Sequence, residues 1–180
     1  MRIETGGVGR AAIQQRVKFW EFASPDDPML LAWARFRGTL ASSPRRAAPE
    51  QRLTAAGGHR STLWRLLATN NRELGRSYHL YERFDLARAH VEQLQSRPDI
   101  LTIEHITGPT NGSRGWVVLA NGKPIMTCGR WYSSMSTGAV AAAGALEAFR
   151  NALVSVDAES STAAARFRRP TSMSTNAASR

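Results

Sequence analysis

Trp64-Arg65-Leu66-Leu67-Ala68-Thr69-Asn70-Asn71, running on to Tyr81 and then Leu86-Ala87-Arg88-Ala89-His90-Val91-Glu92-Gln93-Leu94, is one of two matching segments about fifty residues apart. The other is Trp116-Val117-Val118-Leu119-Ala120-Asn121-Gly122, running on to Tyr132 and then Ala141-Ala142-Ala143-Gly144-Ala145-Leu146-Glu147-Ala148-Phe149. Overlaid, Trp64 meets Trp116, Leu67 meets Leu119 and Ala68 meets Ala120. The second copy then drops one residue, after which Asn70 meets Asn121, Leu74 meets Ile125 and Tyr81 meets Tyr132. Both segments carry strand, turn, strand and helix signals in the same order. The chain therefore reads as an internal duplication, and self-similarity of this kind is the first thing to settle in a fold.

Around Trp64 the pattern predicts a strand over residues 62–68, a turn at Asn70-Asn71, a returning strand over 73–80 and a helix over 84–95. Asp85 is the expected N-cap, its carboxylate accepting free first-turn amides. Phe84, Ala87, Val91 and Leu94 fall three and four apart, so they share one helix face. Arg97-Pro98-Asp99 ends the unit, because the residue before proline resists helical geometry.

Around Trp116 the β-branched run at 100–106 predicts a strand, and 108–112 a turn. A second strand covers 115–120. Asn121-Gly122 then suits a type I′ hairpin, whose two central residues need positive φ. Residues 125–132 return. Ser136 or Thr137 is expected to cap a helix from Gly138 to about Leu153, with Ala142, Leu146, Phe149 and Leu153 on its buried stripe.

Upstream, residues 17–22 alternate as a short strand and 24–28 have turn chemistry. The period of residues 29–36 fits a strand or a helix. Breakers at Pro44, Gly57 and Gly58 mark 39–58 as a linker. Past Ser160 little remains to bury, so a disordered tail is expected. The organisation is then an N-terminal extension at 1–58 with a β-hairpin and linker, one repeat at 59–97, a second at 98–156, and a basic tail at 157–180. The fold class is α+β: two tandem βββα-type repeats with an antiparallel sheet and one helix each, flanked by less ordered termini.

The second copy resembles the YegP-like family of small proteins, often built from two tandem units. Trp116, Leu119, Ala120, Asn121, Gly122, Ile125, Tyr132, Ser133 and Ser134 carry the resemblance, with Trp64, Leu67, Ala68, Asn70 and Tyr81 in the first copy. It spans roughly residues 100–153 well and 60–96 more loosely. It implies three antiparallel strands and one helix per unit. The family is uncharacterised in activity, so the resemblance transfers no functional residue. This chain departs from the pattern in having Asn71 for the turn glycine, a longer segment before the second helix, and no counterpart to residues 1–50.

At 180 residues, 42% of them hydrophobic, the chain can bury a core. No run approaches the eighteen or so apolar residues of a membrane span, and no signal-peptide pattern opens it. Cys128 is the single cysteine, so an intramolecular disulfide is excluded and a reducing cytoplasm is the expected setting. Residues 1–60 hold ten Lys or Arg against five acids, 61–160 ten against nine, and 161–180 four against none. Only Lys18 and Lys123 are lysines. Arginine binds phosphate bidentately and stacks on bases, while an arginine-biased composition gives the same excess without a ligand.

Sites of chemistry are few. Cys128 would need a histidine, with His79 and His105 the candidates, to become a nucleophile; a small buried core residue is the simpler reading. The loop at 133–138 could bind an anion or simply cap its helix. Trp64, Trp116, Trp131, Tyr81 and Tyr132 could stack bases or fill a duplicated core. Glu73, Glu82, Asp85 and Glu92 suit a solvated face, so no carboxylate pair is read as catalytic. No metal ligand set and no cofactor are expected. The sequence thus supports a non-enzymatic binding protein associated with RNA, DNA or a ribonucleoprotein. Its contacts would lie at Arg45, Arg46, Arg166, Arg168 and Arg169, the last three around Phe167. The alternative is a protein-interaction or self-associating (dimeric) module without nucleic-acid binding. A membrane partner is not expected, and a Cys128-dependent activity is the remaining third option.

Overall fold

The computed structural model describes residues 14–41 and 60–161. The elements run β1 (Arg16–Phe22), α1 (Pro28–Ala41), β2 (Ser61–Leu67), β3 (Glu73–Ser77), α2 (Phe84–Gln95), a 3-10 turn at Pro98–Ile100, β4 (Leu101–Thr107), β5 (Arg114–Ala120), β6 (Lys123–Thr127), α3 (Met135–Asn151) and β7 (Leu153–Ser161). They form a mixed α+β fold with one seven-stranded sheet, in the order β4-β5-β6-β3-β2-β1-β7. Neighbours are antiparallel except for the parallel pair of β1 and β7.

Strand alternation sends successive side chains to opposite faces, and both faces are apolar here. From β1, Val17 and Phe19 join Trp64 and Leu66 of β2 and Trp116 and Val118 of β5 in the main core, closed by Ala87, Val91 and Leu94 of α2 and Ala142, Ala145 and Phe149 of α3. Trp20 and Phe22 point the other way, with Leu63 and Leu67, and meet Leu30 and Trp33 of α1. Helices therefore cover the sheet on both sides. Trp33 Nε1 fixes α1 by donating to the Ser77 carbonyl at 2.9 Å.

The hairpins follow their turn residues. Asn121 and Gly122 have φ of 49° and 77°, the positive pair a two-residue turn needs. The earlier hairpin is one residue longer: Asn71 N donates to Ala68 O at 2.9 Å, and Asn71 itself takes φ 61°.

Four expectations need correction. Residues 29–36 are not the second strand of a hairpin. They are helical because Asp27 caps α1, its Oδ1 accepting from Met29 N at 2.8 Å with Pro28 in the first turn, where its missing N–H costs nothing. Asp85 does not cap α2: Arg83 holds the cap position without a side-chain bond, and the Asp85 carboxylate pairs with Arg83. The cap of α3 is Ser134, accepting from Thr137 N at 3.2 Å, so the helix starts three residues before Gly138. Leu153 lies beyond that helix, 54% exposed, at the start of β7, a strand that the sequence reading lacked and that takes in 157–161.

Candidate functional site

The two tryptophans sit in matching backbone frames. Each Trp amide donates to a side chain on the next strand: Trp64 N to Ser77 Oγ at 3.2 Å, Trp116 N to Cys128 Sγ at 3.5 Å. Two residues before each Trp, the strand exchanges both backbone bonds with the tyrosine ahead of the helix. Thr62 pairs with Tyr81 at 2.7 and 2.8 Å, and Arg114 with Tyr132 at 2.9 and 2.8 Å.

The side chains then diverge. Trp64 Nε1 donates to Tyr81 Oη at 3.3 Å, and that hydroxyl bonds His90 Nδ1 at 2.8 Å. Burial pushes the Tyr81 pKa up to about 12 and the His90 pKa below its ordinary value. On α3 the position matching His90 is Ala141, and Trp116 Nε1 is buried without a hydrogen-bond partner among the described residues. Trp64 stacks on Phe149, with centroids 5.4 Å apart. Both tryptophans are 0% exposed, so neither presents a face to a base. Trp131 is half-buried against Phe36, and Arg130 lies over Tyr132.

A charged cluster lies on the α1 side of β2 and β3. Glu73 accepts from Arg65 and Arg76, and its side chain is 11% exposed, so the solvated face expected for it is wrong. Arg65 lies over Trp20, Arg76 over Phe36, and Arg37 over both Trp33 and Tyr78. Gly129 makes room for the cluster, since a Cβ there would come within 2.4 Å of Glu73 Oε1. The signal that could have revealed it is the bulge between Leu66 and Leu67, which brings Glu73 into line with Arg65 and Arg76, and a bulge is not legible in sequence. The cluster is satisfied internally: its guanidinium groups are occupied by a carboxylate and by ring faces.

Cys128 is fully buried, bonded to Trp116 N and at 3.9 Å from Thr127 Oγ1, and burial raises its pKa. Neither His79 nor His105 is its hydrogen-bond partner among the described residues. His79 packs edge-on to Tyr78, and His105 is exposed on β4 opposite Trp116. In the loop at 133–138, the hydroxyls of Ser134, Ser136 and Thr137 bond one another around the start of α3. Glu82 and Glu92 do sit at exposed positions, Glu92 paired with Arg88. Arg45, Arg46, Arg166, Arg168, Arg169 and Phe167 lie outside the described residues. Among the described residues no group of His, Cys, Asp or Glu could hold a metal ion, and no helix is long and apolar enough to cross a membrane.

No family model matches the sequence. No curated protein matches it. Among solved structures, the chain is similar to the solution NMR structure of the E. coli protein of unknown function yegP, with TM-score 0.43 and 13% identity over 82% of this chain and 96% of that one. It is also similar to the solution NMR structure of a UPF0339 protein from Shewanella oneidensis, with TM-score 0.43 and 14% identity over 77% of this chain and 88% of that one.

Proposed function

We propose that this chain is a non-enzymatic binding protein whose contacts to RNA, DNA or a ribonucleoprotein are made by arginines outside the described body. The observation that carries the reading is how charge is divided. Residues 14–41 and 60–161 hold fifteen Lys or Arg against twelve acids, whereas the remaining residues hold nine against two. Within the body many cations are already engaged: Lys18 with Glu159, Arg60 with Glu21, Arg65 and Arg76 with Glu73, Arg88 with Glu92, and Arg150 with Glu147. A guanidinium that serves a carboxylate is poorly placed to serve a phosphate as well. The absence of enzymatic activity is supported by the sheltered Cys128 thiol, whose raised pKa disfavours the nucleophilic thiolate.

The test is a salt titration of nucleic-acid affinity, comparing the full chain with one ending at Ser161. Each phosphate neutralised releases counterion, so three arginines on a duplex give a log–log slope of about −2.7. Truncation, which removes Arg166, Arg168 and Arg169, should flatten the slope by about 2.7, and Arg45→Gln with Arg46→Gln by about 1.8. Equal binding by all three chains, or no binding at physiological salt, rejects the reading in favour of protein interaction.

We also propose that the body is a tandem duplication, with β1-β2-β3-α2 as the first unit and β4-β5-β6-α3 as the second. The matching frames of Trp64 and Trp116 support it, as does a sheet order nearly symmetric about the β3–β6 pair. On this reading β1 is the first strand of its unit, separated from β2 by α1 and the residues that follow it. An experimental structure in which Ser77 and Cys128, or Tyr81 and Tyr132, failed to superpose would reject it.

A further inference from the structure

The two ends of the sheet are finished in different ways. At one end β7 is broken: between the pairs Val17↔Val154 and Phe19↔Ala158, residues 155–157 stand against Lys18 alone. The strand also carries the exposed Asp157, while its Glu159 pairs with Lys18 of β1. Bulges and charges of this kind are how sheet edges avoid further pairing.

At the other end β4 has no bulge and a single charged side chain, Glu104. It pairs with β5 over seven consecutive residues without a register shift, and between 101 and 107 it contains no Pro, Lys or Arg. Gly108 N donates to Ser113 O and Asn121 N to Ile100 O, both in the β4–β5 register. Hydrogen-bonded pairs alternate along an antiparallel ladder, so the even-numbered residues of β4 bond to β5. Leu101, Ile103, His105 and Thr107 then turn their N–H and C=O groups outward. Among the described residues no strand lies on that side.

We propose that β4 is a pairing edge and that its partner is β4 of a second copy, joined antiparallel about a twofold axis through Ile103. The sequence of the strand is compatible with this register. Centred on Ile103, Ile103 faces Ile103 of the other copy, Leu101 faces His105, and Thr102 faces Glu104. No like charges meet. A shift of the centre to Glu104 would set two carboxylates opposite each other, which is destabilising. A shift to His105 would set two imidazoles together and Glu104 against Ile106. In the favoured register the outward pairs exchange two bonds each, about six in all. A twofold axis perpendicular to the sheet keeps α1 of both copies on one face and α2 and α3 on the other, so the contact is isologous and closes at two chains. The inference is independent of the nucleic-acid reading.

The test uses nuclease-treated full-length chain at high salt, followed by sedimentation and by amide exchange. Expected is a species of twice the chain mass that dissociates on dilution. On dilution the amides of Ile103 and His105 lose protection, while those of Thr102 and Glu104, bonded to β5, keep theirs. His105→Pro removes one outward N–H at an exposed position and leaves the inner ladder intact, so it should abolish the dimer. The exchange pattern decides the matter even if that variant folds poorly. A chain that is monomeric at every concentration, or a dimer in which Ile103 and His105 exchange as they do in the monomer, overturns the proposal.

Discussion

The Trp116 amide is buried with its side chain, and its acceptor is the Cys128 thiol where Trp64 has the Ser77 hydroxyl. This equivalence gives the lone cysteine a structural role that its sequence neighbours Thr127 and Gly129 do not reveal. Cys128→Ser should therefore leave stability nearly unchanged, whereas Cys128→Val, of similar bulk, should strand a buried donor at a cost of about 1–3 kcal/mol. Denaturant midpoints of the two variants measure this; equal losses would show that the thiol serves only as filler. His90 gives a prediction in pH. Its Nδ1 lies 2.8 Å from the Tyr81 hydroxyl, whose oxygen accepts from Trp64 Nε1 and whose proton can then be donated to an unprotonated Nδ1. A proton on Nδ1 would leave that hydroxyl without its acceptor. The folded pKa of His90 is depressed by burial, and so is that of His79, chiefly by burial and further by the nearby His90 and Arg37 charges. The unfolded chain then binds more protons, so stability rises with pH. It is fully present above the ordinary value of 6.5 and is lost as pH falls below it toward the folded values. The melting temperature should drop on acidification through that range, and less steeply in His90→Gln. A parallel pair of curves would remove His90 from the account.

At the scale of elements, α3 is held at both ends by side chains. Ser134 caps its start, and Gln95 of α2 donates to the Phe149 and Ala152 carbonyls at its close, at 2.7 and 2.9 Å. Helix ends leave carbonyls without intrahelical partners, and Gln95 supplies two of the missing donors from another element. Gln95→Ala should cost about 1–2 kcal/mol, near the net value of two ordinary hydrogen bonds. The loss should appear as faster amide exchange in the last turn of α3, and unchanged exchange there would mean that water replaces the side chain without penalty. The span of α2 was legible because three buried residues, Ala87, Val91 and Leu94, repeat at helical spacing. The Asn121-Gly122 turn was legible from its dipeptide. For α1, apolar residues face both the sheet and the ends of β4 and β5, where Leu40 packs with Ile106 and Val117, and this blurs the period. As for β7, an edge strand with Val156 64% exposed and with Asp157, Glu159 and Ser160 along it lacks the buried alternation that marks a strand. No local pattern records that Arg16 pairs with Leu153; that contact is the product of the whole fold.

Across the whole molecule, the halves share too much to behave as separate units. Between the strands of the two halves the direct ladder is short, with Arg76 opposite Thr127 and Ser77 opposite Met126. Other ties are longer in range. After α3 the chain crosses to lay β7 against β1, Ser161 Oγ donates to Asp27 at the start of α1 at 2.8 Å, and Phe149 leaves its own half to stack on Trp64. A small domain with a continuous core unfolds in one step, and these ties make one transition the expectation here despite the doubled pattern. Phe149→Ala is the sharpest probe, since the ring belongs to the second half by sequence and to the first by contact. Truncation of a large buried aromatic should cost about 3–5 kcal/mol. If the fold is a single unit, the loss lowers protection of the most slowly exchanging amides equally in β2 and β5, and calorimetry still shows one peak. Two peaks, or a loss of protection confined to the strands of one half, would mean that the halves fold independently and that β7 and Phe149 merely rest on their neighbour.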